Sequence, residues 1–325
     1  MQSEWQNGRK GAGEKERKAR SPLPPFSPSY SGLGSSTFVH MTDLSPELAV
    51  KRDRLLDLLR SYGSCAVAFS GGLDSTVLAK AAALALGDRA VAVTGTSASL
   101  AAGELDESLA LARQIGIRHE VIHTDELAIP GYQANAADRC YFCKSELFLK
   151  VEQIAARLGV AVVCDGSNRD DQGEYRPGIQ AARERKVRSP LAECGLGKAE
   201  LRSLAAAWDI PTWDKPATPC LSSRIAYGEQ VTPARLAMID QAERFLRERG
   251  FQPLRVRYHK GDMARIEVAI DALPRLVEPE LRRVVLEHLR GLGFKYVALD
   301  LQGFRSGSMN AVLPVENLQI TGGRQ

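Results

Sequence analysis

Six residues, Ser70-Gly71-Gly72-Leu73-Asp74-Ser75, carry the clearest chemical signal in the chain. Glycines let backbone N–H groups converge on an anion, and a helix starting just after them adds the positive end of its dipole. The hydroxyls of Ser70 and Ser75 add donors to phosphate oxygens. Asp74 beside a polyphosphate suits a magnesium ion, bound directly or through water. No Gly-Lys-Ser/Thr follows, and the third glycine of a dinucleotide fingerprint is missing, so neither of those phosphate motifs applies. On residue types alone, the stretch serves equally well as a tight strand-to-helix turn in which Asp and Ser cap the helix.

The cysteines form the second signal. Six in 325 residues are too sparse for a disulfide framework. Cys140 and Cys143, in Arg139-Cys140-Tyr141-Phe142-Cys143-Lys144 ahead of a predicted helix, form a C-x-x-C pair that points to metal or redox chemistry. Cys220 lies in Thr218-Pro219-Cys220-Leu221-Ser222-Ser223-Arg224. Cys65 and Cys164 fall in apolar strand-like runs, where a buried, inert thiol is the default, and Cys194 stands alone. A structural zinc would need a fourth ligand, with His123 or Cys164 available. A redox disulfide at Cys140 and Cys143 lacks the usual thioredoxin-like context. Simple burial of Cys220 between Pro219 and Leu221 is the bland reading.

Cations gather near the same end of the chain. Arg255, Arg257 and His259 alternate on a strand pattern and so project from one face, a row fit to hold a phosphate. Arg224, four residues after Cys220, can bring another guanidinium to the same anion. The alternative is a solvated strand face with ion pairs, for example to Glu267 on the next strand. Glu243, on the preceding helix, can orient these arginines or act as a base near Cys220, although a surface glutamate fits the pattern as well. Asp170 and Asp171 are candidates for a second magnesium contact. Lys198 and Arg176 are candidates for phosphate, and exposed salt bridges would explain them equally.

The elements that must position these residues alternate. Apolar runs at 65–69, 90–94, 119–123 and 160–164 read as strands, and helical patterns at 76–86, 102–115 and 144–158 separate them. Ser45-Pro46 marks the start of an earlier helix carrying Leu48, Leu55, Leu58 and Leu59. The order predicts an α/β fold, a doubly wound parallel sheet over residues 41–218. Beyond it, helix 233–249, strands 253–258 and 264–270, helix 278–289 and strand 295–299 predict a smaller α+β domain over 219–325. Residues 214–230, rich in Pro, Ser and Gly, read as the junction. Residues 1–40 lack a hydrophobic period and are rich in Ser, Pro, Gly and basic residues, the composition of a disordered tail.

Charge narrows the function class. Of the formal +4, residues 1–40 hold +3, leaving the body near +1. That is too little for a nucleic-acid-coating surface, so nucleic acid is not an expected partner. No basic start is followed by an apolar core of signal-peptide length, and the Ala/Leu-rich stretches are broken by charges before they could span a bilayer. The expectation is a cytoplasmic protein with no membrane partner.

Ser-Gly-Gly-Leu-Asp-Ser after a strand resembles the PP-loop of the adenine-nucleotide alpha-hydrolase superfamily, whose members cleave ATP to AMP and pyrophosphate. That resemblance implies pyrophosphate at Ser70–Ser75 and adenine near the end of the second strand, at Val93-Thr94-Gly95-Thr96. The two cysteine segments, with Asp165-Gly166-Ser167-Asn168-Arg169-Asp170-Asp171, Tyr175-Arg176-Pro177-Gly178 and Arg188-Ser189-Pro190-Leu191, resemble the LarE family of ATP-dependent sulfur transferases over residues 45–315. The resemblance implies adenylation of a pyridinium biscarboxylic acid mononucleotide and its conversion to thiocarboxylates for a nickel-pincer nucleotide cofactor. It makes Cys220 the sulfur-bearing residue, sacrificed in some members. Cys140 and Cys143, which the sacrificial type lacks, imply with Cys220 a three-thiolate 4Fe–4S site that takes sulfur from sulfide or another donor. The resemblance also implies a homo-oligomer. The rivals are a tRNA thiolase, an amidotransferase-like synthetase, and a nucleotide-binding Fe–S or zinc protein without turnover.

Overall fold

A computed structural model describes residues 44–171, 177–214, 218–305 and 307–309. The expected tail at 1–40, and Tyr175 and Arg176, lie outside them. The described residues belong to one compact unit, Met41–Gln325.

Helix α1 (Pro46–Ser61) starts where its cap is: Ser45 Oγ accepts from Leu48 N at 3.3 Å, with Pro46 at the first helical position. It buries Leu48, Leu55 and Leu59. There follow β1 (Cys65–Ala68), α2 (Leu73–Leu86), β2 (Ala90–Thr96), α3 (Glu104–Ile115), β3 (Arg118–His123), the single turn α4 (Pro130–Gln133), α5 (Arg139–Leu158) and β4 (Val162–Cys164). The four strands are parallel in the order β3-β2-β1-β4, with Ala66 paired to Val91 on one side and Val163 on the other.

The period of two along these strands feeds two cores. Cys65, Val67, Ala90 and Ala92 pack toward the helices α1, α2 and α3, while Ala66, Val91 and Val93 pack toward Val151 and Ala155 of α5. Both faces of the sheet are therefore covered by helices, which is why its central strands read as continuous apolar runs. Strand order reverses between β1 and β4, and in such sheets the crevice outside the carboxyl ends at that point is where ligands bind. Ser70–Ser75 follows β1 and Asp165–Asn168 follows β4, so both open into it.

Three further helices, α6 (Pro177–Glu184), α7 (Pro190–Glu193) and α8 (Lys198–Ala207), were not foreseen from the pattern. Ala181 and Ala182 of α6 pack on Phe148 of α5; Leu201, Leu204 and Ala205 of α8 join the core beneath α2.

The second lobe comprises α9 (Pro233–Arg247), β5 (Leu254–His259), β6 (Met263–Val268), α10 (Leu273–Val277), α11 (Pro279–Gly291) and β7 (Tyr296–Leu299). Its sheet has the order β5-β6-β7, with β5 antiparallel and β7 parallel to β6. Leu236, Ile239 and Leu246 of α9 and Val285 and Leu289 of α11 bury Val256, Ile266 and Val268 of the sheet. This is the α+β arrangement the element order predicted.

One boundary is corrected. Cys140 and Cys143 do not precede a helix; α5 begins at Arg139 and carries both, one turn apart on one face.

Candidate functional site

Gly71 sits at a φ of +68°, and a Cβ there would stand 2.7 Å from Ser108 Oγ, so glycine is required where the loop turns under α3. Gly72 caps α2 with no side-chain hydrogen bond, leaving the first N–H groups of that helix without a side-chain cap. Ser75 Oγ donates to Gly72 O at 3.1 Å and accepts from Ser70 N at 3.2 Å, which fixes the loop's curvature. A glycine-rich loop ahead of a helix start without a side-chain cap is a candidate anion cradle.

Its acidic member is already engaged. Lys198 Nζ, at the start of α8, donates to both carboxylate oxygens of Asp74 at 2.7 Å, and Asn168 Nδ2 reaches Oδ2 at 3.3 Å. Asp170 accepts from Lys198 N at 2.6 Å, and Asp171 from Asn168 N at 3.0 Å. Gly166, after β4, lies so close to α2 that an added Cβ would meet Ser75 N at 2.9 Å. The expected adenine-side residue Thr94 is buried, its hydroxyl donating to Phe69 O at 2.8 Å and bonded to His119 Nε2 at 2.7 Å.

The cysteine site opens beside the same carboxyl edge. Ser97–Ser99 follows β2, and Leu221 N donates to Ser99 O at 2.9 Å, tying the Cys220 loop to it. The buried carboxylate of Glu126 accepts from the hydroxyls of Ser97 and Ser99. Cys220 and Cys143 are half-buried and Cys140 is exposed. Burial, then the neighbouring Cys220 and Glu126, pushes the Cys143 thiol up to about 12. Burial alone would lower the Arg139 guanidinium, but the adjacent Cys220 and Cys140 thiols outweigh it and hold its pKa above the ordinary value. Cys164 is elsewhere, fully buried in the sheet beside Cys65.

Behind Cys220, Arg224 is 1% exposed and bonded bidentately to Glu243 at 3.1 and 3.2 Å. Its Nη1 donates to the carbonyls of Pro219 and Cys220. Arg257 pairs with Glu267 at 2.8 Å, as the ion-pair alternative anticipated, and His259 Nε2 accepts from Arg265 Nε at 3.0 Å. Arg255 differs. Among the described residues no carboxylate stands within ion-pair distance of it, its ring contact is Phe304, and burial together with the Arg224 and Arg257 charges lowers its pKa to about 10. With no such carboxylate partner, Arg255 keeps more of its donors open to an anion than the paired Arg224 and Arg257 do.

Three thiols are the donor type an iron–sulfur cluster uses. Cys220 is among the groups whose charge raises the Cys143 thiol. Among the described residues, however, no three His, Cys, Asp or Glu side chains are placed to hold a metal ion together. The fit holds for donor type and not for placement.

No family model matches the chain. It is 44% identical over 266 residues to the uncharacterized protein slr1717 of Synechocystis, covering 82% of this chain and 99% of that protein. It is 38% identical over 267 residues to pyridinium-3,5-bisthiocarboxylic acid mononucleotide synthase of Lactiplantibacillus plantarum, covering 82% and 96%. The chain belongs to the LarE family. At 28% identity over 240 residues, the uncharacterized protein MJ0830 of Methanocaldococcus jannaschii is a further relative, covering 74% and 90%.

Within this LarE chain, several residues near the Cys220 loop carry no motif. Tyr132, Asn135, Ser99 and Glu126 surround the Cys220 loop, and none belongs to a recognisable motif. Asn135 at positive φ before a helix is the one local hint, since asparagine tolerates that conformation. Among the described residues no helix is long and apolar enough to cross a membrane.

Proposed function

We propose that this chain is an ATP-dependent sulfur transferase that converts the two carboxylates of a pyridinium-3,5-biscarboxylic acid mononucleotide into thiocarboxylates, toward a nickel-pincer nucleotide. What supports this reading is the glycine-led start of α2, without a side-chain cap, and the half-buried thiol of Cys220, whose loop is bonded to the segment after β2, in a chain 38% identical to a bisthiocarboxylate synthase.

ATP with its magnesium ion would lie against the N–H groups at the start of α2, with Asp74 facing the metal and Lys198 the phosphates. A substrate carboxylate oxygen attacks the α-phosphorus, the bond to pyrophosphate breaks, and an acyl adenylate forms. The Cys220 thiolate then attacks the acyl carbon and the bond to AMP breaks with AMP taking the oxygen, giving a thioester. Loss of the Cα proton and cleavage of the Cys220 Cβ–S bond would free the thiocarboxylate and leave dehydroalanine, whereas a separate sulfide attacking the adenylate would give the thiocarboxylate directly. Arg255 anchors the substrate's phosphate, while Glu243 and Arg224 hold the Cys220 loop. Positioning and charge stabilisation supply most of the catalysis. A 4Fe–4S cluster held by Cys140, Cys143 and Cys220 would supply a renewable sulfur; the donor set alone supports it, and no step above depends on it.

The test is release of AMP and pyrophosphate on adding the mononucleotide. Cys220→Ser should still release pyrophosphate but retain AMP in the acyl adenylate and make no thiocarboxylate. Nucleotide binding without AMP formation would overturn the reading in favour of a non-catalytic nucleotide-binding protein. Iron and sulfide analysis after anaerobic purification tests the cluster, and a turnover-dependent loss of about 34 Da, one hydrogen sulfide, would mark Cys220 itself as the consumed donor.

A further inference from the structure

Asn135 is fully buried and joins two parts of the chain. Its Nδ2 donates to the carbonyls of Ile225, Ala226 and Glu229 at 3.3, 2.8 and 3.0 Å, all just beyond Cys220. Its backbone carbonyl accepts from Gly228 N at 3.1 Å, and its Oδ1 accepts from Arg139 Nη1. Arg139 completes the connection, because the same Nη1 donates to Ser222 O at 2.9 Å. Tyr132 OH adds a 2.6 Å hydrogen bond to Ser222 Oγ.

Arg139 is itself unusual. It is buried, and among the described residues no carboxylate lies within ion-pair distance of it. A buried cation without an ionic partner is costly, whereas neutral amides would suffice to seal two lobes. What distinguishes this place is its neighbours: Arg139 precedes Cys140 on α5, its bond to Ser222 is two residues from Cys220, and Cys143 is one turn further along.

We propose that Asn135 and Arg139 are positioning residues that set the separation between the thiols of Cys143 and Cys220. A buried, multiply bonded amide and a planar guanidinium leave the two segments little freedom to slide past one another. The proposal rests on the reading of Cys220 as the sulfur-bearing residue, but thiol separation is measured without turnover.

Dibromobimane added to the reduced full-length protein bridges two thiols only when they are close, each sulfur displacing one bromide and the bridged product becoming fluorescent. Peptide mass mapping then identifies the pair. The wild type should bridge Cys143 to Cys220, and Asn135→Ala and Arg139→Gln should slow bridging by about tenfold, the effect of losing one buried hydrogen bond. Arg139→Lys, which keeps the charge, should recover part of the rate. If Arg139→Gln does not fold, Asn135→Asp gives the same reading, since it keeps the acceptor for Arg139 and loses the donors to three carbonyls. Unchanged bridging in folded variants, or a wild-type bridge to a different cysteine, overturns the proposal. A wild type that bridges as expected but releases no AMP with substrate overturns the functional reading and leaves the clamp standing.

Discussion

Arg224 and Glu243 form a bidentate ion pair behind Cys220, each side chain 1% exposed, and Glu243 also accepts from Val256 N at 3.1 Å. One carboxylate therefore joins α9, β5 and the Cys220 loop. Glu243→Gln leaves a buried guanidinium without its counter-charge, which should cost about 3–5 kcal/mol. The urea midpoint should fall accordingly, and a variant as stable as wild type would show that the pair does not hold the loop.

Lys198 and Asp74 form the ion pair at the loop after β1. If Lys198 moves to the phosphates when magnesium takes Asp74, Lys198→Met should slow pyrophosphate release by about a hundredfold, the scale of one lost charge-stabilising donor. Asp74→Asn should raise the magnesium concentration needed for half-maximal rate. Titrating pyrophosphate release against magnesium separates the two variants.

Gly166→Ala probes how closely β4 and α2 must approach. The new Cβ would stand 2.9 Å from Ser75 N and 3.1 Å from Ser75 Cα, and backbone cannot move aside as a side chain can. Displacing the start of α2 should lower kcat/KM for ATP by about a hundredfold while the protein still folds. Circular dichroism alongside the kinetics distinguishes displacement from unfolding.

Arg188 and Glu193 give a pH signature. The Arg188 guanidinium hydrogen-bonded to Glu193 holds that carboxyl below its ordinary value of 4.5. A pKa lowered by folding contributes stability that is present above the unfolded value and is lost as pH falls through the folded one. Both side chains are partly exposed, so solvent screening keeps the effect small. From about pH 5 down to about pH 3, the melting temperature should fall less steeply for Glu193→Gln than for wild type. Parallel curves would show that the pair is fully screened.

Short-range signals made much of this architecture legible. Ser45 with Pro46 marks the start of α1, apolar runs between helical stretches mark the parallel strands, and two glycines after β1 mark the loop into α2. Each depends on residues within a turn or a strand of one another. The thiols of Cys65 and Cys164 were expected to be buried on the same ground, and both are.

What the tertiary structure alone decided lies at long separation. Lys198 is 124 residues from Asp74, and Asn135 is 90 or more from the carbonyls it holds, distances at which a contact leaves no period in the sequence. The start of α5 shows why. Asp138 makes no side-chain cap bond, so no local signal announces a helix there. Arg139's buried bonds to Asn135 and Ser222 anchor that first turn instead, and with it Cys140 and Cys143 come to lie on a helix whose start is tied to the Cys220 loop. Residue types marked the two candidate sites; only the packing of distant segments decided which groups meet.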